Sequence, residues 1–182
     1  MVARLIILLT LLALACPSHA VTFVVANGAA RIKLRIGTGD LASQATCNNA
    51  AGDNGTIDIV SFVLTLANVG NGVAVVGAPT VVVAACARSL AAAPRTATLT
   101  ANSTTALNNG SGSTIPFTQI SWTAAGDTDI PAGTFTGAAG QVLASFTTSG
   151  GRTATHTFSY ANTNVVAAGT YTGRVTYTLT MP

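Results

Sequence analysis

Glutamate is absent from this 182-residue chain, and Asp40, Asp53, Asp58, Asp127 and Asp129 are its only acids. Histidine is nearly absent, with His19 and His156 alone, and Trp122 is the single tryptophan. Each scarcity excludes a class of chemistry. A serine, threonine or thiol nucleophile needs a base to activate it, and beyond the N-terminal segment only His156 is offered. His156 shares strand parity with Ala154, Phe158 and Tyr160, so a structural imidazole on or beside an apolar face is expected. Asp127 and Asp129 stand two apart, and Asp53-Asn54-Gly55 begins like a calcium loop, but Asp58 is off the required spacing and no Glu closes it. Solvated turns are the expectation at both places. With no zinc signature, phosphate-cradling loop or dinucleotide fingerprint, the reading is a non-enzyme with no catalytic residue, metal or cofactor.

Charge is equally scarce, at 7% of residues, so the formal net charge of +3 reflects missing acids more than a basic surface. Only Arg31, Lys33 and Arg35 cluster, without interleaved aromatics, which argues for a solvated strand face and against a nucleic-acid partner. After residue 20 no apolar run approaches the roughly 20 residues of a membrane-crossing helix, so no transmembrane helix is expected. At the N-terminus, Arg4 precedes an apolar run from Leu5 to Ala15, followed by small residues at Ser18 and Ala20. This pattern predicts a signal peptide over 1–20, export through the periplasm, and a secreted or cell-surface product. Ala13-Leu14-Ala15-Cys16 also reads loosely as a lipid-attachment site, although Ala13 and Pro17 depart from that pattern. Cleavage after Ala20 leaves Cys47 and Cys86, and in an oxidising compartment such a pair predicts a disulfide.

What the chain has in abundance is alternation. Period two recurs throughout and period 3.6 does not, which predicts an all-β protein. Tyr171, Gly173, Val175, Tyr177, Leu179 and Met181 fall on one face of the last strand, with Thr170, Thr172, Arg174, Thr176, Thr178 and Thr180 on the other. Further strands are predicted over 31–37, 56–66, 80–86, 95–101, 114–124, 133–137, 141–147 and 152–160. Gly-, Asn- and Ser-rich stretches such as Gly70-Asn71-Gly72 and Asn108-Asn109-Gly110-Ser111-Gly112 supply the turns. The spacing suits an immunoglobulin-like antiparallel β-sandwich over 31–182. Apolar parity flips inside 56–66 and 114–124, which fits either a β-bulge or a strand buried on both faces. Trp122 is assigned to the core.

Ahead of the sandwich, 21–30 reads as an N-terminal extension or first edge strand. Val21, Phe23 and Val25 share one face, and Asn27-Gly28 forms a joint before Ile32, Leu34 and Ile36. Together with the early cysteine pair and the terminal Gly169-Thr170-Tyr171-Thr172-Gly173-Arg174-Val175-Thr176-Tyr177-Thr178-Leu179-Thr180, this pattern resembles the spore coat protein U group of chaperone-usher pilus subunits. The resemblance implies an incomplete immunoglobulin-like fold finished by a donated strand, with a periplasmic chaperone, an usher and further copies of the chain as partners. It implies Val21, Phe23 and Val25 as donor side chains and Val175, Tyr177 and Leu179 as groove-lining residues of the last strand. Pairing of Val21–Val25 within its own domain stays open beside it. A self-contained secreted binding module, for example for surface carbohydrate, is the alternative function. An outer-membrane β-barrel fits the length, but the few aromatics, the paired cysteines and the Met181-Pro182 ending argue against it.

Overall fold

The computed structural model describes residues 30–37, 47, 59–89, 94–147 and 150–182. Cys16, Val21, Phe23, Val25, Asp40, Asp53 and Asp58 lie outside the described residues. In chain order the strands are β1 (Ala30–Ile36), β2 (Val75–Val76), β3 (Val81–Ser89), β4 (Ala97–Asn102), β5 (Leu107–Asn108) and β6 (Thr114–Ile115). They continue with β7 (Ile120–Gly126), β8 (Gly133–Thr134), β9 (Gln141–Phe146), β10 (Gly150–Tyr160) and β11 (Thr176–Thr180). One antiparallel sheet has the order β1-β3-β10-β7-β8, with β2 beside β10 beyond the end of β3. The other is β11-β4-β9, and β5 pairs with β6 in a small hairpin. The all-β sandwich predicted by the alternation is therefore the architecture.

The two sheets face each other because each strand turns its apolar parity inward. Val81, Val83, Ala85 and Ala87 of β3 and Ala97, Leu99 and Ala101 of β4 are buried in one shared core. On β10 the inward set is Ala154, His156, Phe158 and Tyr160, all buried as their parity predicts. Trp122 of β7 packs against Phe135 with ring centroids 4.8 Å apart, and its indole N–H donates to the Pro131 carbonyl at 2.9 Å. Gly133 is needed beside it, since a Cβ there would lie 2.6 Å from the Trp122 ring. Truncating a buried tryptophan of this kind costs about 3–5 kcal/mol.

β3 is buried on both faces, because Ala84 and Cys86 point away from the core and are covered by Cys47. Cys47 and Cys86 are joined in a disulfide, with Cα atoms 5.5 Å apart and a separation of 39 positions in sequence. Closing a loop of that length removes unfolded-state entropy equivalent to about 4 kcal/mol.

Several expected elements take another form. The parity flip within 114–124 is neither a bulge nor a doubly buried strand: the 3-10 turn Phe117–Gln119 separates β6 from β7. Pro116 has no N–H to give a ladder, and its carbonyl accepts from the Gln119 N–H at 3.1 Å, so the chain rotates there. A register shift does occur in β9, where Leu99 faces Ala144 and Thr100 faces Val142, leaving Leu143 as the extra residue. Of the strand expected over 56–66, the described part is extended but paired only at Ser61 with Ala78. Val60, Phe62 and Leu64 are half-buried while Ile59 and Val63 are exposed, so alternation survives without a ladder. The last strand is shorter than its pattern, since Thr172 pairs with Asn108 of the hairpin and leaves Thr176–Thr180 to form β11. On β1, Lys33 and Arg35 are half-buried instead of fully solvated.

A buried asparagine staples the loop that precedes β2. Asn162 adopts φ 53, a left-handed conformation that asparagine tolerates. Its amide N–H groups donate to the Asn68 carbonyl at 2.7 Å, Asn71 Oδ1 at 2.9 Å and the Val73 carbonyl at 3.2 Å. Its Oδ1 accepts from the Gly70 N–H at 2.8 Å, and its carbonyl from the Gly72 N–H at 2.9 Å. Replacing Asn162 by Ala orphans several of these groups and should cost about 2–3 kcal/mol in urea unfolding. Reducing the disulfide should lower stability by about 4 kcal/mol, with no free thiol from Cys47 or Cys86 in the oxidised, denatured chain. Two titratable thiols before reduction would contradict that pairing.

Candidate functional site: the open seam between the sheets

The two seams along which the sheets meet are built differently. At the β8/β9 seam the chain itself crosses between sheets over 135–140. The Phe135 N–H donates to the Ile120 carbonyl at 3.0 Å. Gln141 ties the crossing down, its amide donating to the Thr134 carbonyl at 2.7 Å and its Oε1 accepting from the Thr136 N–H at 2.9 Å. That side is closed by covalent continuity and by hydrogen bonds.

At the opposite seam, β1 is the edge of one sheet and β11 the edge of the other. They approach within 8 Å between Cα atoms, yet among the described residues no ladder joins them. On its outer side β11 carries a row of backbone N–H and C=O groups with no strand partner among the described residues.

The side chains at this seam are apolar. Ile32, Leu34 and Ile36 of β1 are half-buried and pack on the core. Across from them, Val175, Tyr177 and Met181 are half-buried and Leu179 is buried. Behind them the core mixes small residues, Ala85 and Ala87 of β3 and Ala97 and Ala101 of β4, with Val83 and Leu99. Burial pushes the Tyr177 hydroxyl well above the usual tyrosine range, which marks its surroundings as poor in water. The outward faces of β11 carry Thr176, Thr178 and Thr180, all exposed.

The structure thus brings Val175, Tyr177 and Leu179 together on the inward side of β11, which ends its sheet among the described residues, as their shared parity requires. The sequence did not single out the facing wall, Ile32, Leu34 and Ile36, as part of a site, although their alternation was visible. Nothing local in 30–36 says that β1 is an edge, because edge position follows from the order of strands in the sheet.

The residues weighed for chemistry sit elsewhere. His156 is buried with both ring nitrogens unpartnered. Asp127 and Asp129 are held by Arg152, which forms an ion pair with each and lies 5.2 Å above the Phe146 ring. This ion-pair cluster was not anticipated, since Arg152 and Asp129 are 23 residues apart in sequence.

A separate cleft of about 260 Å³ opens near the end of β10, with Ser113, Gln119, Tyr160, Asn164, Val165 and Val166 among its lining residues. Tyr171 braces it, its hydroxyl donating to the Ala167 carbonyl at 2.9 Å and accepting from the Ser113 hydroxyl at 2.8 Å. Among the described residues no group of three or more His, Cys, Asp or Glu side chains is placed to hold a metal ion, and no helix is long and apolar enough to cross a membrane. Comparison of the chain with protein-family models, with curated proteins and with solved structures finds no match in any of the three.

Proposed function

We propose that this chain is a non-enzymatic secreted structural protein, a subunit of a surface fibre or pilus-type assembly that polymerises by β-strand complementation. The observation that carries the reading is the seam between β1 and β11. Among the described residues β1 and β11 each end their sheet, and they lie side by side over half-covered apolar residues. One inserted strand with an apolar face would give backbone hydrogen bonds at the seam and side chains to the alanine-containing core behind it. Neighbouring strands stand about 4.8 Å apart, so a guest flanked on both sides needs roughly 9.6 Å. The edges approach more closely than that, and insertion therefore spreads them.

Val21–Val25 has the required form. Val21, Phe23 and Val25 present one apolar face, and the segment matches the five residues of β11 in length. On this reading the sandwich is an incomplete immunoglobulin-like domain, exported behind the signal peptide through the periplasm. A chaperone would protect the seam and an usher would deliver the neighbouring copy's strand. The scarcity of charge supports close packing of copies, because little electrostatic repulsion opposes association.

A binding module is the second reading, and the cleft beside Tyr160 favours it: Gln119, Asn164 and the Tyr160 hydroxyl surround a neutral space bounded by Val165 and Val166. Such a lining suits an uncharged hydroxylated ligand such as a sugar residue.

The two readings separate by truncation. The chain from Val21 onward should form concentration-dependent oligomers in size-exclusion chromatography, whereas the chain from Ala30 onward, which keeps β1 whole, should remain a soluble monomer. Adding a synthetic Val21–Ala29 peptide to that monomer should raise its melting temperature, and the same peptide with Phe23→Asp should not. Equal polymerisation of both chains would remove the strand-donor reading. A monomer in both cases, with the melting temperature raised by neutral glycosides instead of by the peptide, would favour the module.

A further inference from the structure

His156 stands at the middle of the inward face of β10 with 1% of its surface exposed. Its ring stacks on Trp122, with centroids 5.6 Å apart and planes 22° apart, and meets Phe158 edge-on at 5.9 Å. Neither Nδ1 nor Nε2 has a hydrogen-bond partner. A neutral imidazole tolerates this site as an aromatic filler, but an imidazolium would carry two N–H donors and a full charge into a core with nothing to receive them.

The surroundings offer no compensation. Val81 of β3 and Ala124 of β7 lie opposite it in the ladders. β4 and β9 contribute only aliphatic and phenyl side chains to the core. Among the described inward groups, those that ionise are Tyr160, Tyr177 and Arg152. Both tyrosines are shifted upward and stay neutral in acid. Arg152, four residues along the strand, is cationic and committed to Asp127 and Asp129. Lys33 and Arg35 have the outward parity of β1. Among the described residues no carboxylate is placed to stabilise a charged His156.

We propose that His156 makes this sandwich acid-labile, so that mild acidification opens its aromatic core. The device is independent of the fibre reading, since it lies in the core beneath β10 and not at the open seam. Burial lowers the folded-state pKa of His156 from its ordinary 6.5 to about 4. Above pH 6.5 both the folded and unfolded chains are neutral at this residue, and the fold keeps its full stability. As the pH falls below 6.5 the unfolded chain takes up a proton that the folded chain refuses, so stability drops until the folded pKa is reached. The folding equilibrium constant then falls by up to about tenfold per pH unit, or about 150-fold by pH 4. This chain isolates the effect well, because His156 is the only histidine after residue 20 and no glutamate is present.

The test is urea unfolding of the untagged chain from Val21 onward, followed by the emission of Trp122, its sole tryptophan, at pH 7.5, 6.5, 5.5 and 4.5. The wild-type midpoint should fall steadily below pH 6.5, with the folding constant about 100-fold lower at pH 4.5. His156→Phe, which keeps an aromatic ring beside Trp122, should show a nearly flat profile to pH 5, above the range in which carboxylates ordinarily protonate. Wild-type and His156→Phe profiles of equal slope between pH 6.5 and 5 would overturn the proposal. Should the variant not fold, the His156 ring signals of the native wild type decide the matter by NMR. Signals unshifted down to pH 5 support it, and a titration centred near 6.5 in the folded chain overturns it.

Discussion

The sandwich depends on apolar burial between two sheets that share few backbone bonds. Within each sheet the ladders are antiparallel and register is fixed by parity, since a slip of one residue would turn Val83, Leu99 and Phe158 to solvent. Between the sheets, the forces that hold them are the core and the crossings of the chain. The core is aromatic where Trp122 of β7, Phe135 just after β8 and Phe158 of β10 meet, and thinner where β3 and β4 supply alanines beside Val83 and Leu99. The thick side coincides with the seam that the chain closes over 135–140, and the thin side with the seam between β1 and β11. An added strand therefore has most to contribute where the domain's own side chains contribute least.

The same arrangement explains how a chain with so few charges uses them. Arg152 has inward parity on β10, yet it sits near the strand's start, where the core meets solvent, and spans from Phe146 to Asp127 and Asp129. The Asp127 N–H donates to the Thr153 carbonyl at 2.9 Å, which fixes the turn after β7 over the guanidinium. Two of the five acids are thus spent on one arginine at the end of the sandwich. The middle of the core is left to uncharged groups, and His156 belongs there only in its neutral form.

Much of this was legible in the sequence because strand parity is a local property. Alternation placed His156, Phe158 and Tyr160 on a common inward face, put Trp122 in the core, and aligned Val175, Tyr177 and Leu179 opposite an outer row of threonines. What alternation does not encode is which strands become neighbours. That β1 and β11 are the two edges of facing sheets follows from the order of strands, a matter of long-range packing. Breaks in a ladder were also hidden: a parity flip at Ile115, Phe117, Ile120 and Trp122 reads alike for a bulge and for a turn, and Pro116 was the one local sign of the turn. Asn162 was invisible for a third reason, because its partners lie around Asn68 to Val73, from 89 to 94 residues away.

The fibre reading also imposes a constraint on itself. Only Ala26 to Ala29 separate Val25 from β1, and Asn27-Gly28 is a strong two-residue hairpin signal. If Val21–Val25 folds back on β1, it reaches the same seam that a neighbour's copy would fill, with much the same contacts. Closed monomer and fibre then differ in connectivity more than in bonding, as in a domain swap. A short flexible link gives the tethered strand an effective concentration on the order of millimolar, which free copies in dilute solution do not match. For the fibre to win, something must occupy the seam until a second copy is held in place, or the four-residue link must resist the tight turn. A partner that covers the seam during export is therefore required by the energetics of the reading itself, and the length of that link governs how strongly it is required.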